Sequence, residues 1–273
     1  MLKIGKTPFR NTEFIYHGFE KVAEEINKNF KFYTDYPSKL GEMLVKGELD
    51  IAPASSIIYA RHPGKLLILP GISISAKGKT NSILVFSNTL SSPEDISGKT
   101  IALPFTSASS IALIEIILKM KKINAKFIYN QEPDIERMLR KADAGLLIGD
   151  NALVSFSKNR VLADLGEEWY KLTEKSMVYA LWFVNKKTAQ EKPEEIKEFT
   201  RQLYRAREYS YKDMDTISKE LASQISIDGE FLKGHLSSLS YDFGEKEKSG
   251  LLEYLGLAEK FKIINKIPDL EFF

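Results

Sequence analysis

The 273-residue sequence contains no cysteine and three histidines. Without cysteine there can be no disulfide, no thiolate chemistry and no cysteine-ligated zinc or iron–sulfur site. The histidines, His17, His62 and His235, stand at spacings that match no metal motif. A Gly-rich phosphate loop and the motif of a nucleophilic triad are also missing. We therefore expect a protein that works without a metal or another cofactor.

An excess of charge of one sign and long apolar runs are missing as well. The net charge is +2, and the charged residues, 28% of the chain, are of both signs and interspersed. No basic face for nucleic acid is therefore indicated. No run approaches the roughly 20 apolar residues of a membrane span, and no charged-then-apolar leader precedes the strand pattern at Leu2. We expect a cytoplasmic protein with neither a nucleic-acid nor a membrane partner, although a mature exported form would look the same apart from Met1. The oligomeric state stays open.

The sequence does contain alternating strand and helix patterns, followed by a helical remainder. The first helix is predicted after a cap at Asn11 or Thr12, from apolar residues at a 3.6-residue period: Phe14, Ile15, Phe19, Val22 and Ile26. Further helices are predicted over 38–46, 109–121, 133–141, 193–212, 214–226, 228–239 and 245–261. Strands are predicted over 2–6, 31–36, a segment ending in Ser55 and Ser56, 66–73, 81–87, 100–103, 126–129, 145–148 and 179–184. Such alternation predicts an α/β protein with parallel sheets.

The length suffices for two lobes of roughly 100–150 residues each. The strand patterns near 82–87 and 179–184 are predicted to cross between the lobes. The first lobe then comprises 1–86 and 181–273, and the second lobe, 87–180, is inserted in it. This plan is typical of a hinge-closing binding fold with its ligand between the lobes.

A group of hydroxyl side chains precedes the helix predicted over 109–121. We call Thr106, Ser107, Ser109 and Ser110 the hydroxyl cluster. Together with the free N–H groups of a helix start, these hydroxyls would converge on an anion such as a carboxylate. Alternatively, Ser109 or Ser110 is only a helix cap. The cluster therefore predicts a small carboxylate as the partner.

Other polar residues also follow predicted strands, where open α/β sheets bind ligands. They are Arg10, Asn11, Ser55, Ser56, Ser82 and Asp150. Arg10 could clamp a carboxylate, or be an exposed arginine beside a helix start. Asn11 and Asp150 could instead be helix caps, and the two serines could simply end a strand. Strong acids and bases are few among these positions.

Several segments resemble the family of menaquinone-biosynthesis enzymes of the futalosine pathway, which contains chorismate dehydratase and 1,4-dihydroxy-6-naphthoate synthase. Nearly the whole chain takes part in this resemblance. The segments are I-G-x-x-x-x-x-N-T, G-E-L-D-I-A with Ser56 and Tyr59, S-I-L-V-F-S, the hydroxyl cluster, D-A-G-L-L-I-G-D-N-A-L, D-L-G-E-E-W-x-x-L-T, A-L-W and S-Y-D-F-G. The resemblance implies a two-lobed fold like that of type II periplasmic binding proteins, with the second lobe inserted in the first.

The same resemblance favours one of the two activities. The naphthoate synthase pattern has a catalytic histidine after the apolar strand, where this sequence has Ile148-Gly149-Asp150. The dehydratase pattern has G-D there, followed by L-G-E-E-W and A-L-W, as here. The opening Thr7-Pro8 is closer to the synthase, and Pro104 and Ala108 replace an aspartate and an arginine usual in dehydratases. A cofactor-independent chorismate dehydratase, forming 3-[(1-carboxyvinyl)oxy]benzoate, is the function implied.

Residue roles follow from the resemblance as well. It implies that Asn11 and Ser82 hold the reacting side chain and hydroxyl of the substrate. Substrate binding would involve Arg10, Ser55, Ser56, Asp150 and the hydroxyl cluster. The alternatives are a synthase-like paralogue acting on another carboxylated ring, and a non-catalytic solute-binding protein, because a fold alone does not specify a function.

Overall fold

The computed structural model describes residues 1–22 and 29–273. The position Ile26, predicted for the first helix, lies outside these residues. Strands β1 to β11 are, in order, Leu2–Lys6, Phe30–Thr34, Ile51–Ser55, Leu66–Ala76, Ile83–Phe86, Thr100–Pro104, Lys126–Gln131, Ala144–Ile148, Val161–Asp164, Met177–Asn185 and Leu239–Ser240. Most predicted strands are confirmed to within a few residues, which places the strand ends where the polar residues were expected.

Helices cover the faces of the sheets and form the last third of the chain. Helices α1 to α12 are, in order, Arg10–Val22, Pro37–Lys46, Ile57–Arg61, Ala108–Met120, Ile135–Leu139, Asp150–Phe156, Leu165–Thr173, Lys186–Glu191, Pro193–Lys212, Met214–Gln224, Gly229–Ser238 and Glu245–Lys260. The predicted cap of α1 is wrong, because this helix already begins at Arg10 and its first turn contains Asn11 and Thr12. The N–H groups of Thr12 and Glu13 donate to the carbonyl of Phe9 instead, at 3.0 and 2.9 Å.

The strands form two sheets. The first has six strands in the order β11-β4-β10-β3-β1-β2, and the second has five in the order β7-β6-β8-β5-β9. The prediction of parallel sheets is only partly right, because β10 runs antiparallel to β3 and β4, and β5 runs antiparallel to β8 and β9. Strands β5 and β10 each directly follow a passage between the sheets, and the local sequence does not encode that reversal. The short strand β11 also runs antiparallel to its neighbour β4.

Sheet membership differs from the predicted lobe boundaries by a few residues. Ile83–Phe86, predicted to belong to the first lobe, pairs within the second sheet. Residues 177–180, predicted to belong to the second lobe, pair within the first sheet. The chain therefore passes from the first sheet to the second through residues 77–82 and returns through residues 165–176.

The main hydrophobic core runs through both sheets and the helices around them. Its largest fully buried side chains include Trp169 on α7 and Trp182 on β10. A smaller cluster around Phe86 and Met138 lies under α5. Among the residues described, no helix is both long and apolar enough to cross a membrane.

Candidate functional site

A pocket lies between the two sheets. The first sheet and its connections contribute one wall, formed by Thr7, Phe9, Asn11, Thr12, Pro37, Pro53, Ser55, Ile74, Tyr179, Ala180 and Leu239. The opposite wall consists of Ser82, Ile83, Ser107, Ser110, Ile148 and Gly149. The pocket is thus at the carboxyl ends of β3 and β8, where the sequence predicted a ligand.

The polar lining of this pocket is neutral. Over residues 1–22 and 29–273, no Asp, Glu, Lys, Arg or His side chain lies on its wall. The polar groups are hydroxyls and one amide, and two helices begin at the pocket from opposite sides: α1 with Asn11 and Thr12, and α4 with Ser107 and Ser110. Helix amino ends attract negative charge through their free N–H groups and dipoles. The arrangement suits an anionic ligand that brings its own charge.

The hydroxyl cluster divides between the pocket and the contact of the two lobes. Ser107 is the N-cap of α4, and its Oγ accepts the N–H of Ser110 at 3.4 Å. The Oγ of Ser109 lies 3.1 Å from the Oγ of Ser56 and accepts the N–H of Ile57 at 3.3 Å, so this pair joins the lobes instead of lining the pocket. The cap of α4 is Ser107, so the alternative that Ser109 or Ser110 is only a helix cap is wrong, and the binding of an anion by the cluster stays a prediction.

Thr106, the remaining member of the cluster, is buried but does not line the pocket. Its hydroxyl has no hydrogen-bond partner in the described part of the chain. Its carbonyl accepts the N–H of Ser38 at 3.3 Å, and the Oγ of Ser38 donates to the carbonyl of Phe105 at 2.7 Å. The backbone of this residue thus belongs to a second contact between the lobes.

Ser55 presents a buried hydroxyl to the pocket. It pairs with Ala180 on β10, and both residues lie on the pocket wall, so their side chains share one face of the sheet. Its Oγ is buried and has no hydrogen-bond partner among residues 1–22 and 29–273. A buried hydroxyl without a partner costs about 1–3 kcal/mol. A polar atom of a bound ligand would remove this penalty.

Asn11 and Ser82 approach the pocket from opposite walls. The side-chain oxygen of Asn11 accepts the hydroxyl of Thr12 at 3.2 Å, which leaves its amide group for a ligand. Ser82 directly precedes β5, and its carbonyl accepts the N–H of Gly149 at 2.7 Å. The structure therefore brings the two predicted catalytic residues to one pocket.

Arg10 and Asp150 contact each other instead of the pocket. The N–H of Arg10 donates to Asp150 at 2.8 Å, and its Nε lies 3.2 Å from the other carboxylate oxygen. The guanidinium also contacts Gln224 and donates to the carbonyl of Pro8 at 2.9 Å. Burial raises the pKa of Asp150 to about 6, although the Arg10 N–H and charge oppose the shift. The pair connects the lobes beside the pocket, and neither residue lines it.

Among the lining residues that were not predicted from the sequence, Phe9, Gly149 and Tyr179 have special contacts or backbone geometry. Phe9 lies against Gly149, which has φ +61, and an ideal Cβ on Gly149 would stand 2.7 Å from the Phe9 ring. A histidine at position 149, as in the naphthoate synthase pattern, would collide with that ring. Tyr179 lines the pocket where the register of β10 against β4 shifts between Val178 and Ala180, as at a β-bulge. Of these residues, only Gly149 could have been indicated by the sequence, because glycine is favoured where φ is positive.

Solved structures share this architecture. Protein AF1704 from Archaeoglobus fulgidus superposes with a TM-score of 0.75 at 19% identity, covering 96% of this chain and 98% of that one. The alkanesulfonate-binding protein SsuA from Xanthomonas axonopodis pv. citri, bound to MOPS, gives 0.73 at 16% identity, covering 97% and 94%. The CA3427 gene product of Candida albicans, described as having the generic periplasmic binding protein fold, gives 0.74 at 11% identity, covering 99% and 92%. The predicted two-lobed binding-protein-like α/β fold is confirmed.

Sequence comparison agrees with the motifs. A chorismate dehydratase from Thermus thermophilus is 25% identical over 250 residues, which cover 84% of this chain and 88% of that protein. Residues 2–260 match a family model described as menaquinone biosynthesis. Because this match spans almost all of its length, the chain belongs to the menaquinone biosynthesis family.

Proposed function

We propose that this protein is a chorismate dehydratase, which removes water from chorismate to form 3-[(1-carboxyvinyl)oxy]benzoate. The similarity to the Thermus thermophilus enzyme supports a reaction of this kind. The observation that carries the proposal is the neutral polar lining of the pocket, which matches a substrate that supplies its own negative charges. The reaction belongs to menaquinone biosynthesis by the futalosine pathway, and as a biosynthetic step it takes place in the cytoplasm.

Chorismate carries two carboxylates, and the pocket has polar groups on two walls. On the second-lobe wall, Ser107, Ser110 and the amino end of α4 bind the ring carboxylate. On the first-lobe wall, Asn11 and the hydroxyl of Ser55, which has no partner within the described ranges, face the enolpyruvyl carboxylate and its ether. Ser82 holds the ring hydroxyl that leaves. Such fixed donors act by orientation and electrostatic preorganisation.

The elimination itself needs a weak base only. The C3–H bond and the C4–O bond break, a ring double bond forms between C3 and C4, and the proton and the hydroxyl leave as water. Aromatisation of the ring supplies the driving force. The enolpyruvyl carboxylate of the substrate accepts the proton, since no carboxylate or imidazole of the described residues lies on the pocket wall. No oxidant or reductant takes part, so atoms and electrons balance without a co-reactant.

The test is incubation of the purified protein with chorismate, without added metal or cofactor, followed by chromatography with mass detection. We expect a product lighter by one water, formed faster than chorismate decays in a blank. Chorismate that raises the melting temperature but is never consumed would overturn the dehydratase and indicate a solute-binding protein. Chorismate that neither binds nor reacts would point to another carboxylated ring, consistent with the departures at Pro104 and Ala108.

Two variants test the residue roles within the reaction. Asn11→Ala and Ser82→Ala should each lower kcat by about 100-fold, the size of effect expected for a lost positioning or stabilising donor. Asn159→Ala, a comparable truncation of a residue that is not on the pocket wall, serves as the control and should leave kcat unchanged. Full turnover by Asn11→Ala would contradict the assignment.

A further inference from the structure

The first passage between the sheets leads directly into the pocket. We call residues 77–82 the crossing segment; it ends in Ser82. Within it, Gly78 has φ +99 and Asn81 has φ +59. A left-handed residue other than glycine costs on the order of 1 kcal/mol or more and persists only where its surroundings hold it. The contacts that hold Asn81 therefore also set the direction in which Ser82 enters the pocket.

One buried carboxylate of the second lobe holds the crossing segment. Asp164, at the end of β9, accepts the N–H of Thr80 at 3.0 Å and the N–H of Asn81 at 2.7 Å through one oxygen. Its other oxygen accepts the N–H groups of Gly166 and Glu167, at 2.9 and 3.2 Å, as the N-cap of α7. The residue is 4% exposed. All four bonds are charge-assisted, which makes them stronger than ordinary hydrogen bonds.

The amino end of α7 packs closely on the same segment. An ideal Cβ on Gly166 would lie 2.4 Å from the carbonyl oxygen of Gly78 and 2.7 Å from the hydroxyl of Tyr179. Only glycine permits this approach, because any side chain would displace the backbone of the crossing segment. The start of α7 therefore holds the carboxylate of Asp164 against the crossing segment.

A histidine of the first lobe holds the segment from the other side. The Nδ1 of His235, on α11, lies 2.7 Å from the carbonyl oxygen of Thr80. Because a carbonyl only accepts, the proton of the ring is on Nδ1. The side chain is 1% exposed. Thr80 is therefore fixed through its N–H by one lobe and through its carbonyl by the other.

We infer that Asp164 and His235 are positioning residues that set the place of Ser82 in the pocket. The inference rests on the proposed function, in which Ser82 holds the departing hydroxyl. Thr80 and Asn81, which the two side chains fix, directly precede Ser82, whose own carbonyl is bound by Gly149. A displacement of about 1 Å at a reacting group can lower a rate by about 100-fold. Neither Asp164 nor His235 lies on the pocket wall, so both act through the backbone.

The test compares two substitutions of His235 in the full-length protein, with chorismate as substrate. His235→Leu keeps an apolar volume and removes the N–H, whereas His235→Asn keeps an N–H near the position of Nδ1. For His235→Leu we expect kcat to fall about tenfold or more, with KM within about twofold of the parent value. His235→Asn should recover most of kcat. Tyr59→Phe, which loses a buried hydroxyl bonded to backbone groups of Asp269 and Glu271, is the control and should keep kcat.

A second variant keeps the inference testable if His235→Leu fails to fold. Asn81→Gly removes the energetic cost of a left-handed backbone at a residue other than glycine and makes the crossing segment more flexible. It removes no hydrogen bond of the Asn81 side-chain oxygen, which has no partner among the described residues. We expect a lower kcat without a lower melting temperature. Unchanged kcat in Asn81→Gly and in the folded His235 variants, while Ser82→Ala loses about 100-fold in kcat, would overturn the positioning role alone. Full activity of Ser82→Ala would instead overturn the proposed function of Ser82.

Discussion

Gly149 packs directly against Phe9, a residue from a distant part of the chain. It has φ +61 and is the N-cap of α6, and its N–H binds the carbonyl of Ser82. The Phe9 ring covers its Cα so closely that an ideal Cβ would stand 2.7 Å from a ring carbon. Backbone conformation and packing therefore both require glycine at this position.

Gly149→Ala should lower the free energy of unfolding by about 2 to 4 kcal/mol, from left-handed strain and overpacking together. Urea unfolding measures this change. Gly98→Ala is the matched control, since Gly98 has a positive φ as well, +76, but none of the described residues has an atom within 4 Å of its ideal Cβ. Phe9→Ala in the Gly149→Ala background should recover part of the loss. Equal losses for the two glycine variants would show that the Phe9 contact contributes nothing.

The sequence analysis did not predict contacts between residues that are far apart in the chain. The sequence placed Asn11, Ser55, Ser82, Ser107 and Ser110 at strand and helix ends, and all five line one pocket. Their spacing relative to apolar runs was enough to predict this, because strand ends of one sheet meet at one edge. Arg10 was predicted to clamp a carboxylate and Asp150 to bind the substrate, and both roles stay predictions. Their contact across 140 positions of chain carries no local signal.

At the scale of elements, the predictions depended on the strength of each local pattern. The bounds of β1 and α9 are confirmed to the residue, because a buried alternation and a proline start define them. The motif D-L-G-E-E-W was recognised, yet neither β9 nor α7 was predicted from it. β9 has four residues and lies at the edge of its sheet, so it has too little alternation to be seen. The direction of β5 and β10 depends on the passage between sheets, which no strand pattern encodes.

The contact of α11 with the crossing segment predicts how stability depends on pH. Burial lowers the pKa of His235 from 6.5 to about 4, although its bond to Thr80 opposes the shift. In the unfolded chain His235 binds a proton below about pH 6.5, whereas in the folded protein it does so only below about pH 4. Stability therefore falls as the pH drops through that interval. The shift corresponds to about 3 kcal/mol. In His235→Asn, which cannot titrate, this part of the acid sensitivity should disappear from melting curves at pH 7 and 4.5. An unchanged pH dependence would contradict the assigned neutral imidazole.

In the whole molecule, the two lobes contact each other on several sides of the pocket. On one side, Ser38 binds the backbone of Phe105 and Thr106. On another side, the hydroxyl of Ser109 contacts the hydroxyl of Ser56 and accepts the N–H of Ile57. The hydroxyl of Tyr254 donates to the carbonyl of Ser109 at 2.9 Å, and Arg10 pairs with Asp150. These contacts join the walls of the pocket on which Asn11 and Ser82 lie, so that both residues can face one ligand.

The Arg10–Asp150 contact allows a test of whether burial or the charge of Arg10 has the larger effect on the pKa of Asp150. Raising the carboxyl pKa from 3.8 to about 6 corresponds to about 3 kcal/mol that is present below pH 3.8 and lost as the pH rises through 6. Asp150→Asn keeps an oxygen for the Arg10 N–H but cannot ionise. Its melting temperature relative to the parent protein should therefore rise between pH 4.5 and 7.5, so that the variant is at least as stable as the parent at neutral pH.

Asp150→Ala is the control for the lost hydrogen bond. It should be less stable than Asp150→Asn at both pH values, because the Arg10 N–H then has no acceptor. The opposite trend, with the parent protein gaining on Asp150→Asn as the pH rises, would mean that the charge of Arg10 outweighs desolvation and that the carboxyl pKa lies below 3.8. In that case the ion pair would stabilise the folded protein at neutral pH. With the expected trend, the folded protein gains stability on mild acidification, because the buried charge of Asp150 is then removed.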